Sequence, residues 1–283
     1  MCQSNSLKLN YNTNCSRKYK IFSKFLEIFA NRCKIGKIYD LKWVKMEDYA
    51  EGSLPMNAAY ENVLNRLKEE RRRLGLTQRE MGGYVRMTQV SYSNVEAGAR
   101  RLNYYEVKYL CDSKVDVHYV FTGLKCRSVF REFFQEFNYT ELMNLFRILT
   151  SVAEMCDEKD VDSRWRRMIW HAEIFSAVGE ESNSDSGVFL NLRRFMGSNQ
   201  HSMAEKLGVD VKKLRDLENG RNLPDSELLS RLYTCFGICP SVVLKDRNCL
   251  ASEIGCLLDG YNFEAADSFI QILRSLQELP RAL

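Results

Sequence analysis

The stretch that decides the fold is RRRLGLTQREMGGYVRMTQVSYSNVEAG, residues 71–98. It recurs in altered form as RRFMGSNQHSMAEKLGVDVKKLRDLENG, residues 193–220, with every matched pair 122 residues apart and no gap. A repeat at a fixed spacing predicts a duplicated structural unit. The identical pairs include Arg71 with Arg193, Gln78 with Gln200, Met81 with Met203, Glu96 with Glu218, and Gly98 with Gly220.

Capping residues divide the first stretch into short helices. Thr77, followed three residues later by Glu80, has the spacing of a capping box and predicts a helix start. Thr88 predicts the N-cap of the next helix, and Gly98 predicts a left-handed residue just beyond its end. Only residues 86–87 separate the helix that begins after Thr77 from the helix that begins after Thr88, and two residues allow only a tight turn. We therefore predict two short helices joined by a turn.

The second stretch carries equivalent signals. Asn199 and Asp210 are good N-cap residues, and 208–209 takes the place of the turn. In the first stretch, Gly82 and Gly83 predict that a neighbouring helix approaches closely, because glycine has no side chain to keep it away. Each stretch is thus expected to fold in the same way.

Composition favours an all-α protein. The chain of 283 residues has only 4 prolines, so long segments lack helix breakers, and 45% of its residues are hydrophobic while 28% are charged. Its length corresponds to about two domains of ~150 residues. No run of 18 apolar residues occurs, so we predict no contact with a membrane.

The two stretches resemble the lambda-repressor-like (Xre-type) helix-turn-helix family. The shared pattern is T-Q-x-x-[LM]-[AG]-x-x-[LV]-x-[VM]-[TSD], followed eight residues later by E-x-G, and the segment His118–Gly123 is similar to the family's fifth helix. The resemblance covers about 60 residues in each copy and implies five short helices per copy. Tyr92 departs from the pattern, because the family buries Ile or Leu there; the first copy must accommodate the ring or expose its hydroxyl.

The resemblance implies a division of the chain into segments, and the first of these segments is strongly basic. Residues 1–45 hold ten Lys/Arg against two Asp/Glu, whereas the chain as a whole has a net charge of +4. This basic start is interpreted as disordered or as lying upstream of the initiating methionine, with a DNA-contacting arm as the alternative. The expected segments are a basic extension (1–55), a first helix-turn-helix unit (56–123), a helical linker or pairing segment (124–185), a second helix-turn-helix unit (186–247) and carboxy-terminal pairing helices (248–283).

Aromatic and aliphatic stripes occur in the segment between the two units. Phe133, Phe134 and Phe137 recur at helical spacing, and so do Leu142 and Phe146. Such stripes predict core helices more often than a ligand pocket. If the stripes of 124–185 and 248–283 pack against a second copy of the chain, the protein forms a homodimer.

The resemblance also implies a phosphate-binding arrangement. In the family an arginine of the first helix pairs with the glutamate that opens E-x-G and also reaches a DNA phosphate; the matching pairs are Arg71 with Glu96 and Arg193 with Glu218. Arginine suits this role because its planar fork can hold a carboxylate on one edge and a phosphate on the other. Gln78 and Gln200 begin the next helix, where N–H groups and the amide favour a phosphate. They complete the implied phosphate contacts.

The helix over 88–95 is the first expected recognition helix. By resemblance Gln89, Val90 and Asn94 face the bases in the major groove. Gln and Asn can pair with adenine and Val can contact a thymine methyl, so sites containing A·T pairs are expected. The remaining predicted contacts of this helix, nearer the DNA backbone, are Thr88, Ser91 and Ser93.

The second recognition helix, over 210–217, presents different residues. Val211, Lys212 and Asp216 take the base-facing positions, and Lys213 and Arg215 lie beside them. Lysine favours guanine or phosphate, whereas the two aspartates place negative charge near DNA. The second unit either reads a different half-site or is a degenerate unit kept for packing or partner binding.

Metal and cofactor sites are not expected. The ten cysteines form no CxxC pair, and His118, His171 and His201 are not spaced from a cysteine as zinc ligands are. Cys235 and Cys239 lie four apart, as core positions on one helix do. We predict reduced thiols in a cytoplasmic protein, with no metal and no cofactor.

These observations favour a sequence-specific regulator of transcription that binds double-stranded DNA, most simply a repressor. The alternative is a protein-interaction adaptor or an antitoxin-like protein, in which one or both units no longer bind DNA. Catalysis is not expected, because the chain has no phosphate loop, nucleophile elbow or HExxH motif.

Overall fold

The computed structural model describes residues 56–126, 133–134, 137–154, 174 and 188–258, and these residues contain helices but no strand. The predicted all-α class is confirmed for this part of the chain. Within the same ranges, no helix combines the length and apolar character needed to cross a bilayer. The basic extension, the linker before the second unit and the end of the carboxy-terminal segment lie outside the described residues.

Five helices with described bounds fall in each unit, and one further helix follows each unit. In chain order they are α1 Met56–Arg73, α2 Gln78–Tyr84, α3 Gln89–Glu96, α4 Tyr104–Cys111, α5 Val117–Thr122, α6 Tyr139–Glu154, α7 Val188–Phe195, α8 Gln200–Leu207, α9 Val211–Glu218, α10 Ser226–Phe236, α11 Pro240–Leu244 and α12 Arg247–Leu258.

The predicted helix caps are confirmed. The Thr77 side chain accepts a hydrogen bond from the backbone N–H of Glu80, whose carboxylate accepts the Thr77 N–H at 2.7 Å, which completes the capping box. Thr88, Asn199 and Asp210 each accept a hydrogen bond from the backbone N–H three residues further on. Local side-chain chemistry therefore sets where α2, α3, α8 and α9 begin.

The backbone itself repeats along the chain. Four pairs of residues adopt the left-handed conformation, and the members of each pair are 122 residues apart. Two of the pairs combine a glycine with a different residue, so the repetition belongs to the backbone and not only to glycine placement. The pairs are Gly75 with Gly197, Arg86 with Gly208, Gly98 with Gly220, and Gly123 with Lys245.

A small residue on α2 makes room for a large one on α3. Tyr92 has no exposed surface, and a Cβ placed on Gly82 would lie 3.4 Å from the Tyr92 Cβ. In the second unit, Ala204 takes the place of Gly82 and Leu214 takes the place of Tyr92. The larger residue on the first helix thus accompanies the smaller residue on the second. The close approach predicted for Gly82 is confirmed. The same prediction for Gly83 is wrong, because a Cβ there would meet no atom within 4 Å.

The two units contact each other directly. Helix α1 packs against α10, and the Tyr60 hydroxyl lies 2.7 Å from the Ser226 hydroxyl. The Leu102 N–H donates to the Ser226 Oγ at 3.1 Å, and the Ser226 N–H donates to the Leu102 carbonyl at 2.8 Å. These bonds join the residues just before α4 to the start of α10, which are equivalent places in the two units.

Helix α12 is buried within its own chain. It packs against α5, α6 and α11, and the Asn248 side chain donates to the Cys111 carbonyl at 2.7 Å. Leu250 and Ile254 have no exposed surface. The apolar residues of α12 from Cys249 to Cys256 are thus buried without a second copy of the chain.

The aromatic stripe between the units forms core, as predicted. Phe133, Phe134 and Phe137 contact one another with ring centroids 5.3–5.9 Å apart. Leu142 and Phe146 on α6 have no exposed surface. The described apolar residues of this segment are therefore part of the same hydrophobic core as the units themselves.

Candidate nucleic-acid interface

Three side chains converge between α1, α2 and the end of α3. The Arg71 Nε donates to the Glu96 Oε1 at 2.6 Å, and the Arg71 Nη2 lies 3.3 Å from the Glu96 Oε2. The Gln78 Nε2 donates to the same Oε2 at 2.8 Å. A third donor of Arg71, its Nη1, reaches the Leu76 carbonyl at 2.9 Å. One buried carboxylate thus fixes both an arginine and a glutamine.

The second unit repeats this cluster atom for atom. The Arg193 Nε donates to the Glu218 Oε1, and its Nη2 lies 3.3 Å from the Oε2. The Gln200 Nε2 donates to the Oε2 at 2.7 Å, and the Arg193 Nη1 donates to the Ser198 carbonyl at 3.2 Å. Every one of these residues lies 122 positions after its counterpart. Both ion pairs implied by the family resemblance are confirmed.

The glutamine amides have a partner that the sequence did not predict. The resemblance implied an amide that faces phosphate, whereas the amides of Gln78 and Gln200 each donate one hydrogen bond to a buried glutamate. An amide nitrogen has a second N–H, which such a bond leaves available. The presence of glutamine at this position in both copies indicated that the residue matters. The spacing alone did not indicate that its amide binds the buried glutamate.

The cluster stabilises the charged form of Glu96. Burial alone would raise the pKa of this carboxyl, but hydrogen bonds from Arg71 and Gln78 outweigh burial and hold the pKa below its ordinary value. The same carboxylate raises the pKa of the Arg71 guanidinium. Burial, reinforced by the nearby Glu96, raises the pKa of the Tyr92 hydroxyl far above its ordinary value.

We expect acid to weaken the fold through this cluster. Because the pKa of Glu96 is lower in the folded state, its contribution is complete above the unfolded pKa of about 4.3 and is lost as the pH falls through the folded value. Glu70, whose carboxylate accepts from Arg73 and the Asp116 N–H, also has a lowered pKa and acts in the same direction.

The measurement is thermal unfolding of the wild type and Glu96→Gln between pH 7 and pH 3. The variant should be the less stable at pH 7, and the difference should narrow as the pH falls. Glu61→Gln, on an exposed residue of α1, is the control and should show no such trend. A difference between wild type and Glu96→Gln that stays constant over this range contradicts the assignment.

Helix α3 presents a mixed polar and apolar face. Gln89 and Asn94 are exposed, and Val90 is 71% exposed. Ser93 is half-buried. Ser91 is held in place, because the Arg100 Nη1 donates to its Oγ at 2.6 Å. The three residues predicted to face bases are thus the ones that the fold leaves accessible.

Helix α9 presents fewer groups than its sequence suggests. Lys212 and Arg215 are exposed, whereas Val211 packs partly against the core. The Lys213 Nζ lies 3.6 Å from the Asp225 carboxylate, and the Asp216 carboxylate lies 3.7 Å from the Arg221 guanidinium. The accessible face of α9 is therefore basic, and the negative charge of Asp216 is offset by a neighbour.

Charged side chains connect the two units beside α3 and α9. Arg101, which follows α3, pairs with Glu227 and lies 4.0 Å from Asp225. Glu227 also pairs with Arg231, whose Nη1 donates to the Gly208 carbonyl in the turn before α9. This chain of contacts links the loop after the first unit's α3 to the turn of the second unit. The sequence does not predict these contacts, because residues more than 100 positions apart carry no spacing signal.

Comparisons of the chain with models of protein families, with curated proteins and with solved structures find no match.

Proposed function

We propose that this protein is a sequence-specific, double-stranded DNA-binding regulator of transcription. In this proposal residues 56–123 and 186–247 are tandem lambda-repressor-like helix-turn-helix units, and α3 and α9 are their recognition helices. Binding over a promoter would block transcription, which makes repression in the cytoplasm the simplest outcome.

The observation that carries the proposal is the duplicated cluster of arginine, glutamine and glutamate. Glu96 orients Arg71 through two hydrogen bonds, and the Leu76 carbonyl takes a third N–H. A guanidinium has five N–H donors, so an arginine held this way keeps donors for a phosphate. The same arrangement around Glu218 supports a second phosphate contact. The Arg71 and Arg193 side chains keep 14% and 18% of their surface exposed, so the two units share this partial exposure as well as the hydrogen bonds.

The exposed face of α3 supports recognition of bases. Amide side chains such as Gln89 and Asn94 can form paired hydrogen bonds with adenine, and an exposed Val90 can contact a thymine methyl. An apolar side chain exposed between polar ones also costs free energy in water, which contact with a methyl group would recover. We therefore assign preference for A·T pairs to α3.

Helix α9 is assigned a different half-site. Lys212 and Arg215 suit guanine or phosphate and share no chemistry with the face of α3. The hydrogen bonds of Ser226 with Tyr60 and Leu102 fix the second unit against the first. Unequal recognition helices in a fixed relation favour an asymmetric DNA site, in contrast to the palindromes that identical subunits require.

The proposal is tested by binding of the full chain to a labelled random-sequence duplex at several salt concentrations. Affinity should fall steeply with salt, since each phosphate contact adds about 0.9 to the logarithmic slope. Lys212→Ala/Arg215→Ala removes two positive charges and should reduce that slope by up to about 2. Lys114→Ala/Lys125→Ala removes two exposed positive charges near α5 and is the matched control. Absence of duplex binding at about 50 mM salt, or equal slopes for both variants, contradicts the proposal.

A further inference from the structure

A buried group of three metal-ligand side chains lies where the two units meet. His118 is on α5 of the first unit, Cys239 precedes α11 of the second unit, and Glu253 is on α12. Their ligand atoms, one from each residue, all lie within 4.8 Å of one another. The three residues are only 1%, 2% and 3% exposed. We propose that His118, Cys239 and Glu253 bind a Zn²⁺ ion that joins the two units.

The ligand chemistry fits zinc. An imidazole nitrogen, a thiolate and a carboxylate are its usual protein ligands, at about 2.0–2.3 Å, and a tetrahedral site places its ligand atoms about 3.3–3.8 Å apart. A shift of about 1 Å is enough to bring the three atoms to that separation. The charges also balance, because one thiolate and one carboxylate neutralise a divalent cation. A neutral site can be buried at a much lower cost than a charged one.

A neighbouring group orients one of the ligands, and a second ligand lies at a helix start. The Ser241 hydroxyl donates to the Glu253 Oε2 and so orients this carboxylate. A second hydrogen-bonded residue of this kind commonly positions a metal ligand. Cys239 occupies the N-cap of α11 but makes no side-chain capping bond, whereas Asp116 caps the equivalent α5 with its carboxylate. The second unit thus has a sulfur ligand at the position where the first unit has a cap.

This proposal reverses the sequence-based prediction of no metal site. That prediction depended on spacing, and the three residues are separated by 121 and 14 positions, unlike any local zinc motif. The interpretation of Cys235 and Cys239 as positions on one helix is also wrong, because Cys235 lies on α10 and Cys239 lies beyond its end. Only the packing of the units brings Cys239 to His118.

The test begins with the zinc content of the full chain, purified without chelators and measured by mass spectrometry. We expect about one Zn²⁺ per chain. After removal of zinc, Co²⁺ should produce the near-ultraviolet charge-transfer absorption of a thiolate ligand, and a chelator should lower the melting temperature of the wild type.

Matched cysteine variants locate the site. Cys239→Ser should lose the zinc and the thiolate–cobalt absorption, whereas Cys235→Ser, at a partly buried position near the end of α10, should keep both. Glu253→Gln retains the size of the side chain and provides a second loss variant if Cys239→Ser does not fold. The proposal is overturned if the folded wild type binds neither Zn²⁺ nor Co²⁺, or if Cys235→Ser and a folded loss variant retain equal zinc.

Discussion

Arg71→Ala is expected to lower the free energy of unfolding by about 3 kcal/mol, because removal of one partner leaves a buried carboxylate without its counter-ion. The Glu96 side chain is only 4% exposed, and Gln78 alone cannot neutralise it. The same change, Arg193→Ala, should have a similar effect through Glu218, which is equally buried. Chemical denaturation followed by circular dichroism measures both.

Each of these variants has a matched control at the next position. Arg72→Ala and Arg194→Ala remove the same charge from exposed sites on α1 and α7 and should change stability by less than about 0.5 kcal/mol. If Arg71→Ala were no more destabilising than Arg72→Ala, the cluster would not organise the first unit. The proposed phosphate contact would then lose its structural basis.

Gln89→Ala/Asn94→Ala is expected to produce the largest loss of specific DNA binding. Each good base contact contributes about 1–3 kcal/mol, which corresponds to a loss of roughly 5- to 150-fold for each residue. Both side chains are exposed, so the folded structure should be unaffected. The measurement is the affinity for the preferred duplex compared with that for a scrambled one.

The control for this pair is Asn62→Ala/Asn65→Ala, which removes two exposed amides from α1. It should leave the preference for the selected duplex unchanged. Equal specificity of the α3 variant and this control would mean that α3 does not recognise bases. That result would favour the adaptor alternative, in which these units bind a protein partner.

Features set by neighbouring residues could be predicted from the sequence. The capping box at Thr77 and the caps at Thr88, Asn199 and Asp210 depend on hydrogen bonds across three residues, so spacing is sufficient to find them. The arginine–glutamate pairs span 25 residues, and here the resemblance to a known family supplied the partner.

Features set by packing between the units could not be predicted. The contacts of Ser226 with Leu102, and of Arg101 with Glu227, join residues that are 124 and 126 positions apart. The approach of His118 to Cys239 depends in the same way on how the units meet. Gly82 lies on the side of α2 that packs against α3, and Gly83 does not. Two adjacent glycines do not by themselves indicate which of them lies on the packed side.

The most direct test of the account is in-vitro selection of binding sites for the full chain from a random duplex library at about 150 mM salt, where non-specific phosphate binding is weak. We predict two unlike half-sites about one turn of the DNA helix apart. One half-site should be rich in A·T pairs and should be lost from the sites that Gln89→Ala/Asn94→Ala selects. The other half-site should be altered in the sites that Lys212→Ala/Arg215→Ala selects. Failure of the wild-type chain to enrich any site would contradict the claim that this protein recognises DNA sequence.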